Sequence, residues 1–225
     1  MLKVISLFSG IGGLDFGFEE AGFETRVALE FDRFACRTIR LNRPAWNVIE
    51  DDINNVPSAA LLEKAGVAVG EADVLIGGPP CQPFSKSSYW VRGDTLRLDD
   101  PRADTLAHYL RVLRDTQPRA FLLENVGGLA YDGKDEGLRL ILDGIRQVNE
   151  SVGTNYQASW RVIKCAEYGV PQIRERVFII GARDGRPFNF PEPTHAAPGK
   201  NAADLFESRL PYMTAWDAIG DLPEP

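Results

Sequence analysis

The sequence predicts an α/β fold built on a mostly parallel sheet, with an antiparallel hairpin at one edge. Three observations carry that prediction. Short apolar and β-branched runs, Lys3 to Phe8, Thr25 to Leu29 and Ala72 to Ile76, alternate with helical patterns, as crossover-connected parallel strands require. The first run feeds directly into Ser9-Gly10-Ile11-Gly12-Gly13 and then a helix, the order of a nucleotide-binding βαβ unit. Ionisable residues follow two apolar runs immediately, at Glu30 and Glu124, and a thiol, Cys81, follows a third after a Gly-Gly-Pro-Pro turn, where open α/β sheets place their ligands.

Leu14, Gly17, Phe18 and Ala21 give the first helix one buried face. The second strand ends at Glu30, where a carboxylate can accept from both hydroxyls of an adenosine ribose, and Phe31 beside it can cover an adenine face. A pyrophosphate fingerprint would want glycine at position 15. This chain has Asp15, expected to face the phosphate site and repel pyrophosphate, so an adenosine cofactor without phosphates, S-adenosylmethionine being the common one, fits better. The alternative is that the glycines only permit close packing of helix on strand. A helix from Arg33 to Leu41 and a third strand from Trp46 to Ile49 lead to Glu50-Asp51-Asp52-Ile53. One of these acids could accept an adenine amino group, or all could form a solvated turn.

In Gly77-Gly78-Pro79-Pro80-Cys81-Gln82-Pro83-Phe84-Ser85 the prolines fix φ and the glycines allow close backbone approach, so one thiol is presented on a stiff turn. Lys86 to Asp100 has no periodicity. Tyr89, Trp90, Lys86, Arg92, Arg97 and then Arg102 suit phosphate contact and base stacking, although aspartates dilute the signal. Leu106, Tyr109, Leu110 and Leu113 mark a helix, and Ala120 to Leu123 a strand that ends at Glu124 and leaves it partly buried. In a parallel sheet Cys81 and Glu124 then reach one rim from neighbouring strands. Leu138, Ile141, Leu142, Ile145 and Val148 form a helical stripe read as core. Tyr156 to Lys164 and Val177 to Ala182 read as the edge hairpin, with Arg174 and Arg176 on one strand face as site residues or as an exposed pair. Beyond Arg183 the prolines cluster. The chain divides into residues 1–185 and a Pro-rich extension, 186–225, with a short helix expected around Thr214 to Gly220.

Composition narrows the classes. A net charge of −7 argues against a broad basic face for nucleic acid, leaving a local patch as the route to such a partner. Cys36, Cys81 and Cys165 are widely spaced, which suits a reducing compartment, and neither they nor His108 and His195 show metal-ligand spacing. No run is long enough for a membrane span and no signal peptide is recognisable, so a cytoplasmic protein without membrane or metal is expected.

Phe8-Ser9-Gly10-Ile11-Gly12-Gly13, Gly78-Pro79-Pro80-Cys81-Gln82-Pro83-Phe84-Ser85, Glu124-Asn125-Val126 and Gln172-Ile173-Arg174-Glu175-Arg176 resemble, in order and spacing, the signature blocks of the DNA (cytosine-5)-methyltransferases. The resemblance covers about residues 3 to 185. It implies a Rossmann-like fold dependent on S-adenosylmethionine, with S-adenosylhomocysteine as product, and DNA as substrate in a restriction–modification setting. It implies Cys81 as nucleophile, Glu124 at ring nitrogen 3, Arg176 at the base carbonyl with Arg174 beside it, and Gln82, Ser85 and Arg102 toward the substrate. On the cofactor side it implies Phe8, Gly10, Ile11, Gly12, Gly13 and Leu14, Glu30, Phe31, Pro80, and Asp52 with Ile53, Asp52 now preferred over Asp51.

The family's target recognition domain and last asparagine-containing block have no counterpart here. The expectation is therefore a catalytic portion that works as a fragment or a split subunit with a second chain or C-terminal segment, binding cofactor weakly and methylating poorly alone. The competing readings are a transfer RNA cytosine-5 methyltransferase, a nicotinamide-dependent oxidoreductase and a non-catalytic binding subunit.

Overall fold

Strands of four to eight residues, each apolar on the face that meets the helices, assemble in the computed structural model into one seven-stranded sheet. The structure describes residues 1–80, 104–131, 136–197 and 209–223. In chain order the elements are β1 (Leu2–Leu7), α1 (Gly13–Glu20), β2 (Phe23–Glu30), α2 (Arg33–Asn42), β3 (Asn47–Glu50), α3 (Ser58–Ala65) and β4 (Val74–Gly77). They continue with α4 (Asp104–Thr116), β5 (Ala120–Val126), α5 (Glu136–Val152), β6 (Gln157–Lys164) and β7 (Glu175–Ala182). The strand order is β3-β2-β1-β4-β5-β7-β6. Pairings among β1 to β5 are parallel, and β7 is antiparallel to both β5 and β6. The hairpin expected at the edge is present.

The order follows from where the apolar residues are. Leu75 in β4, Phe121 and Leu123 in β5, and Val177 and Ile179 in β7 point to one face, where Tyr109 and Leu113 of α4 and Ile141 and Ile145 of α5 bury against them. The Tyr109 hydroxyl lies within this layer and donates toward the carbonyls of Leu75 (3.2 Å) and Leu122 (3.0 Å), so the buried phenol is satisfied. On the other face, Leu14 and Phe18 of α1 pack on Val4, Val74 and Ile76, while Ile39 of α2 and Trp46 cover Ala28. Asp32 caps α2 by accepting from the amides of Phe34 and Ala35, both at 2.8 Å. Helix α3, short and alanine-rich, has no counterpart among the sequence expectations.

Helices cover the two faces unequally. Alongside α1, the starts of β4 and β5 and the end of β7 border an open groove of about 590 Å³ lined by Phe18, Phe23, Val74, Leu122, Ile180 and Phe188, with Arg119, Arg183 and Arg186 at its margin. Within the extension β8 (His195–Ala196) pairs with β9 (Leu210–Pro211), and the extension is tied back to the body by the Thr194 amide donating to the Glu167 carbonyl at 2.9 Å, the Phe188 amide to Ser159 Oγ at 3.0 Å and the Tyr168 hydroxyl to the Pro191 carbonyl at 2.9 Å. Its helix α6 (Ala215–Ile219) is fixed by a capping box between Thr214 and Asp217 and leaves Trp216 72% exposed. Among the described residues, no helix is long and apolar enough to cross a membrane.

Candidate functional site

Parallel pairing brings the ends of β1, β4 and β5 side by side, since Leu7 pairs with Gly77 and Gly77 with Leu123. The residues just beyond, Phe8, Gly78 and Glu124, therefore meet at one rim. A cavity of about 370 Å³ opens there, lined by Phe8 and Ser9 of the glycine turn, Gly13 and Leu14 at the start of α1, Gly78 after β4, Glu124 of β5, Arg174 just before β7, and Arg176 and Phe178 of β7. Size and mixed lining are those of a small-molecule site.

Glu124 and Arg176 are joined in this cavity. Arg176 Nε stands 2.8 Å from Glu124 Oε1, with the side chains 19% and 25% exposed. Residues directly opposed in an antiparallel pair share a face, and Glu124 opposes Phe178, so Arg176 two residues earlier is its diagonal neighbour. β7 lies inside the sheet, between β5 and β6, so the arginines are not an exposed edge pair. Arg174 precedes the first residue of β7, yet both arginines line the cavity. Glu175, on the opposite face, accepts from the Tyr131 hydroxyl at 2.8 Å.

Gly78 has little space of its own: a Cβ there would lie 2.9 Å from Glu124 Oε2. Asn125, 3% exposed, donates from Nδ2 to the Pro79 carbonyl at 3.1 Å and accepts from the Val126 amide at 2.8 Å. It thus ties the proline turn to β5. Thr105 Oγ1 donates to the Pro80 carbonyl at 3.2 Å from the other side, and Pro80 itself is exposed. Cys81, Gln82, Ser85 and Arg102 lie outside the described residues.

On the cofactor side, the glycine turn is left-handed at Phe8 (φ 55°), Gly10 (φ 55°) and Gly12 (φ 91°). The Glu30 carboxylate holds that turn. Its Oε2 accepts from the Gly10 amide at 2.8 Å, and its Oε1 from the amides of Phe31 (3.0 Å) and Asp32 (2.9 Å). Three of its roughly four acceptor positions are therefore taken, leaving room for one ligand hydroxyl rather than the two expected, unless the turn opens. Gly10 and Gly13 face open space, whereas a Cβ on Gly12 would press on Trp46 (3.2 Å) and Phe16 (3.3 Å). For Gly12, close packing is the stronger reason. Phe31 is 70% and Ile11 59% exposed, both available to a ligand. Asp52 accepts from the Asn54 amide at 2.9 Å, Asp51 caps the same turn through the Asp52 amide at 2.7 Å, and Glu50 pairs with Arg40. The Ile53 side chain is buried in the core, so only its backbone can meet a ligand.

Asp15 corrects an expectation. Its carboxyl does not face outward toward phosphates, because the first turn of α1 directs it inward, where Ser6 Oγ of β1 and Thr25 Oγ1 of β2 each donate to it at 3.0 Å. Any argument against pyrophosphate therefore rests on a buried carboxyl bordering the cavity, not on a charge exposed at its surface. Residues that sequence reasoning passed over include Ser6, Ser9, Cys165 and Phe178 in the cavity wall, and Asn125. Asn125 carried a legible signal, a polar side chain inside an apolar strand; Cys165 carried none.

A family model described as C-5 cytosine-specific DNA methylase matches residues 2–225. The Type II methyltransferase M.AquIA of Picosynechococcus sp. is 46% identical over 98% of this chain and 89% of its own length. M.SacI of Streptomyces achromogenes is 38% identical over 99% of this chain but 58% of its own length. Among solved structures, a prophage-encoded protein of E. coli described as a DNA modification methyltransferase superposes with TM-score 0.73 at 29% identity, over 100% of this chain and 56% of that one. The chain thus spans most of one curated relative and little more than half of these others.

Proposed function

The chain belongs to the C-5 cytosine-specific DNA methylase family, and on that premise we propose that it supplies the catalytic portion of an enzyme that methylates carbon 5 of cytosine in DNA. The observation that carries this reading is the single cavity in which the glycine turn and the Glu124–Arg176 pair meet. A methyl donor held by the first and a base held by the second would be in reach of each other.

The residues present fit S-adenosylmethionine. Gly10 and Gly13 leave open space for backbone approach, α1 begins without a side-chain cap, Glu30 retains an acceptor position, and Phe31 and Ile11 offer exposed apolar surface. When bound, that cofactor supplies an electrophilic methyl group. The protein's own residues would do the rest. The Cys81 thiolate adds to carbon 6 of an extruded cytosine, the sulfur–carbon bond forms, and the electron pair of the 5,6 double bond moves into the ring. Glu124 stabilises the charge at nitrogen 3 by hydrogen bond or proton, and Arg176 donates to the neighbouring carbonyl oxygen. Those two ring positions are adjacent, which suits two side chains already 2.8 Å apart. Carbon 5, now nucleophilic, takes the methyl group; loss of its proton and expulsion of the thiolate restore the ring.

The open groove beside α1 supports a further part of this reading, that a second chain or a further segment completes the sheet. Parallel sheets are normally covered on both faces. Relatives of about twice this length are compatible with such a segment.

Duplex DNA carrying 5-fluorocytosine tests the proposal with this chain. Fluorine at carbon 5 blocks the final elimination, so the adduct accumulates even when turnover is slow. With S-adenosylmethionine, a denaturant-resistant complex is expected for the chain and none for Cys81→Ser. A complex with the serine variant, or cross-linking to 5-fluorocytosine transfer RNA in preference to DNA, would overturn the assignment.

A further inference from the structure

Asp15 is the buried carboxyl that the mechanism above does not use. It is 0% exposed, and Ser6 Oγ and Thr25 Oγ1 donate to its two oxygens. Burial pushes its carboxyl up to about 6 against the relief given by those hydroxyls, and Glu19 on its own helix opposes ionisation further. β1 and β2 present only hydroxyls to it, and the charged groups across the cavity are Glu124, Arg174 and Arg176, with Arg176 engaged by Glu124. Among the described residues Asp15 has hydroxyl partners and no paired cation; a carboxylate buried in that way weakens a fold, so its presence beside a cavity points to a task.

The side chains around it say which. The Ser6 hydroxyl that bonds Asp15 also lies 3.2 Å from Ser9 Oγ, and Ser9 Oγ donates to the Leu29 carbonyl at 3.3 Å, next to Glu30. Asp15, Ser6 and Ser9 all border the cavity. An ionised Asp15 accepts the hydrogen bond of the Ser6 hydroxyl; a protonated Asp15 can donate to Ser6 and turn that hydroxyl toward Ser9. The state of the carboxyl is thus passed to the first residue of the glycine turn.

We propose that Asp15 is a positioning residue that reads ligand charge, favouring a cationic ligand in this cavity over its neutral counterpart, through its own negative charge and through Ser6 and Ser9. This deepens the functional reading and rests on it. A sulfonium cofactor carries one positive charge that its thioether product lacks, so the same carboxylate retains the first and weakens its hold on the second.

Isothermal titration of the 225-residue chain with S-adenosylmethionine and with S-adenosylhomocysteine, from pH 8 down to 5.5, tests the idea. Affinity for the sulfonium ligand is expected to fall up to about fourfold over this range as the ionised fraction drops, with a midpoint near 6, while the thioether changes clearly less. Asp15→Asn should flatten both profiles, with a thermal melt confirming its fold. Ser6→Ala keeps the carboxyl but removes a donor and should move the midpoint upward. Identical profiles for the two ligands, or a sulfonium profile unchanged in Asp15→Asn, overturn the inference and leave cofactor binding intact. Binding of neither ligand at any pH overturns the functional reading and the inference together.

Discussion

At the scale of single residues, the site is held by polar side chains bonded to the protein's own backbone and hydroxyls. Glu30 gathers three amides, Asn125 holds the Pro79 carbonyl, and Asp15 gathers two hydroxyls. The last has a consequence for stability. A folded-state carboxyl raised from 3.8 to about 6 contributes stability that is complete below the lower value and lost as pH rises through the upper one. At neutral pH the chain should therefore be less stable than its Asp15→Asn variant by up to about 3 kcal/mol, from 1.36 kcal/mol per unit. The difference should shrink at pH 5. Urea unfolding of both proteins at pH 7.5 and 5 checks the sign, and a variant less stable at pH 7.5 would refute it. Glu30 and Glu124 were legible in the sequence because each punctuates an apolar run. The direction of Asp15 was not, since it depends on Ser6 and Thr25, which only folding brings beneath α1.

Elements set the rim through close backbone approach. Gly77, inside β4, has no room for a side chain: a Cβ would sit 3.0 Å from the Leu7 carbonyl oxygen and 3.0 Å from a Tyr109 ring carbon, neither free to move. Gly77→Ala should lower stability by roughly 1–3 kcal/mol, as overpacking does. Gly78→Ala presses only on Glu124 Oε2, the end of a side chain. It should melt close to wild type while disturbing the Glu124–Arg176 pair, and so reduce trapping of 5-fluorocytosine. Equal losses of melting temperature in the two variants would contradict this division. The strand–turn–helix pattern, the stripe on α5 and the edge hairpin were readable because period and length report them directly. That β7 inserts between β5 and β6, and that α3 exists, were not: the first is a matter of pairing partners far apart in sequence, the second of a helix too short and too rich in alanine to show a period.

For the whole molecule, charge and coverage argue in the same direction. A net charge of −7 argues against a broad cationic surface of the kind that draws duplex DNA, and among the described residues an open groove borders the sheet beside α1. Anisotropy titrations at 150 mM salt should find duplex binding no tighter than the roughly 10⁻⁴–10⁻⁶ M of non-specific association. Sub-micromolar affinity would show that the recognition surface is already present. The order of strands also bears on synthesis. β6 touches the sheet only through β7, and β7 emerges last, so until Ala182 has left the ribosome β5 remains an open edge carrying Phe121 and Leu123. Glu124 gains its arginine in that same late step. Nascent chains released before β7 would therefore be both sticky and without a paired acid, which makes closing the sheet and assembling the reactive pair a single event.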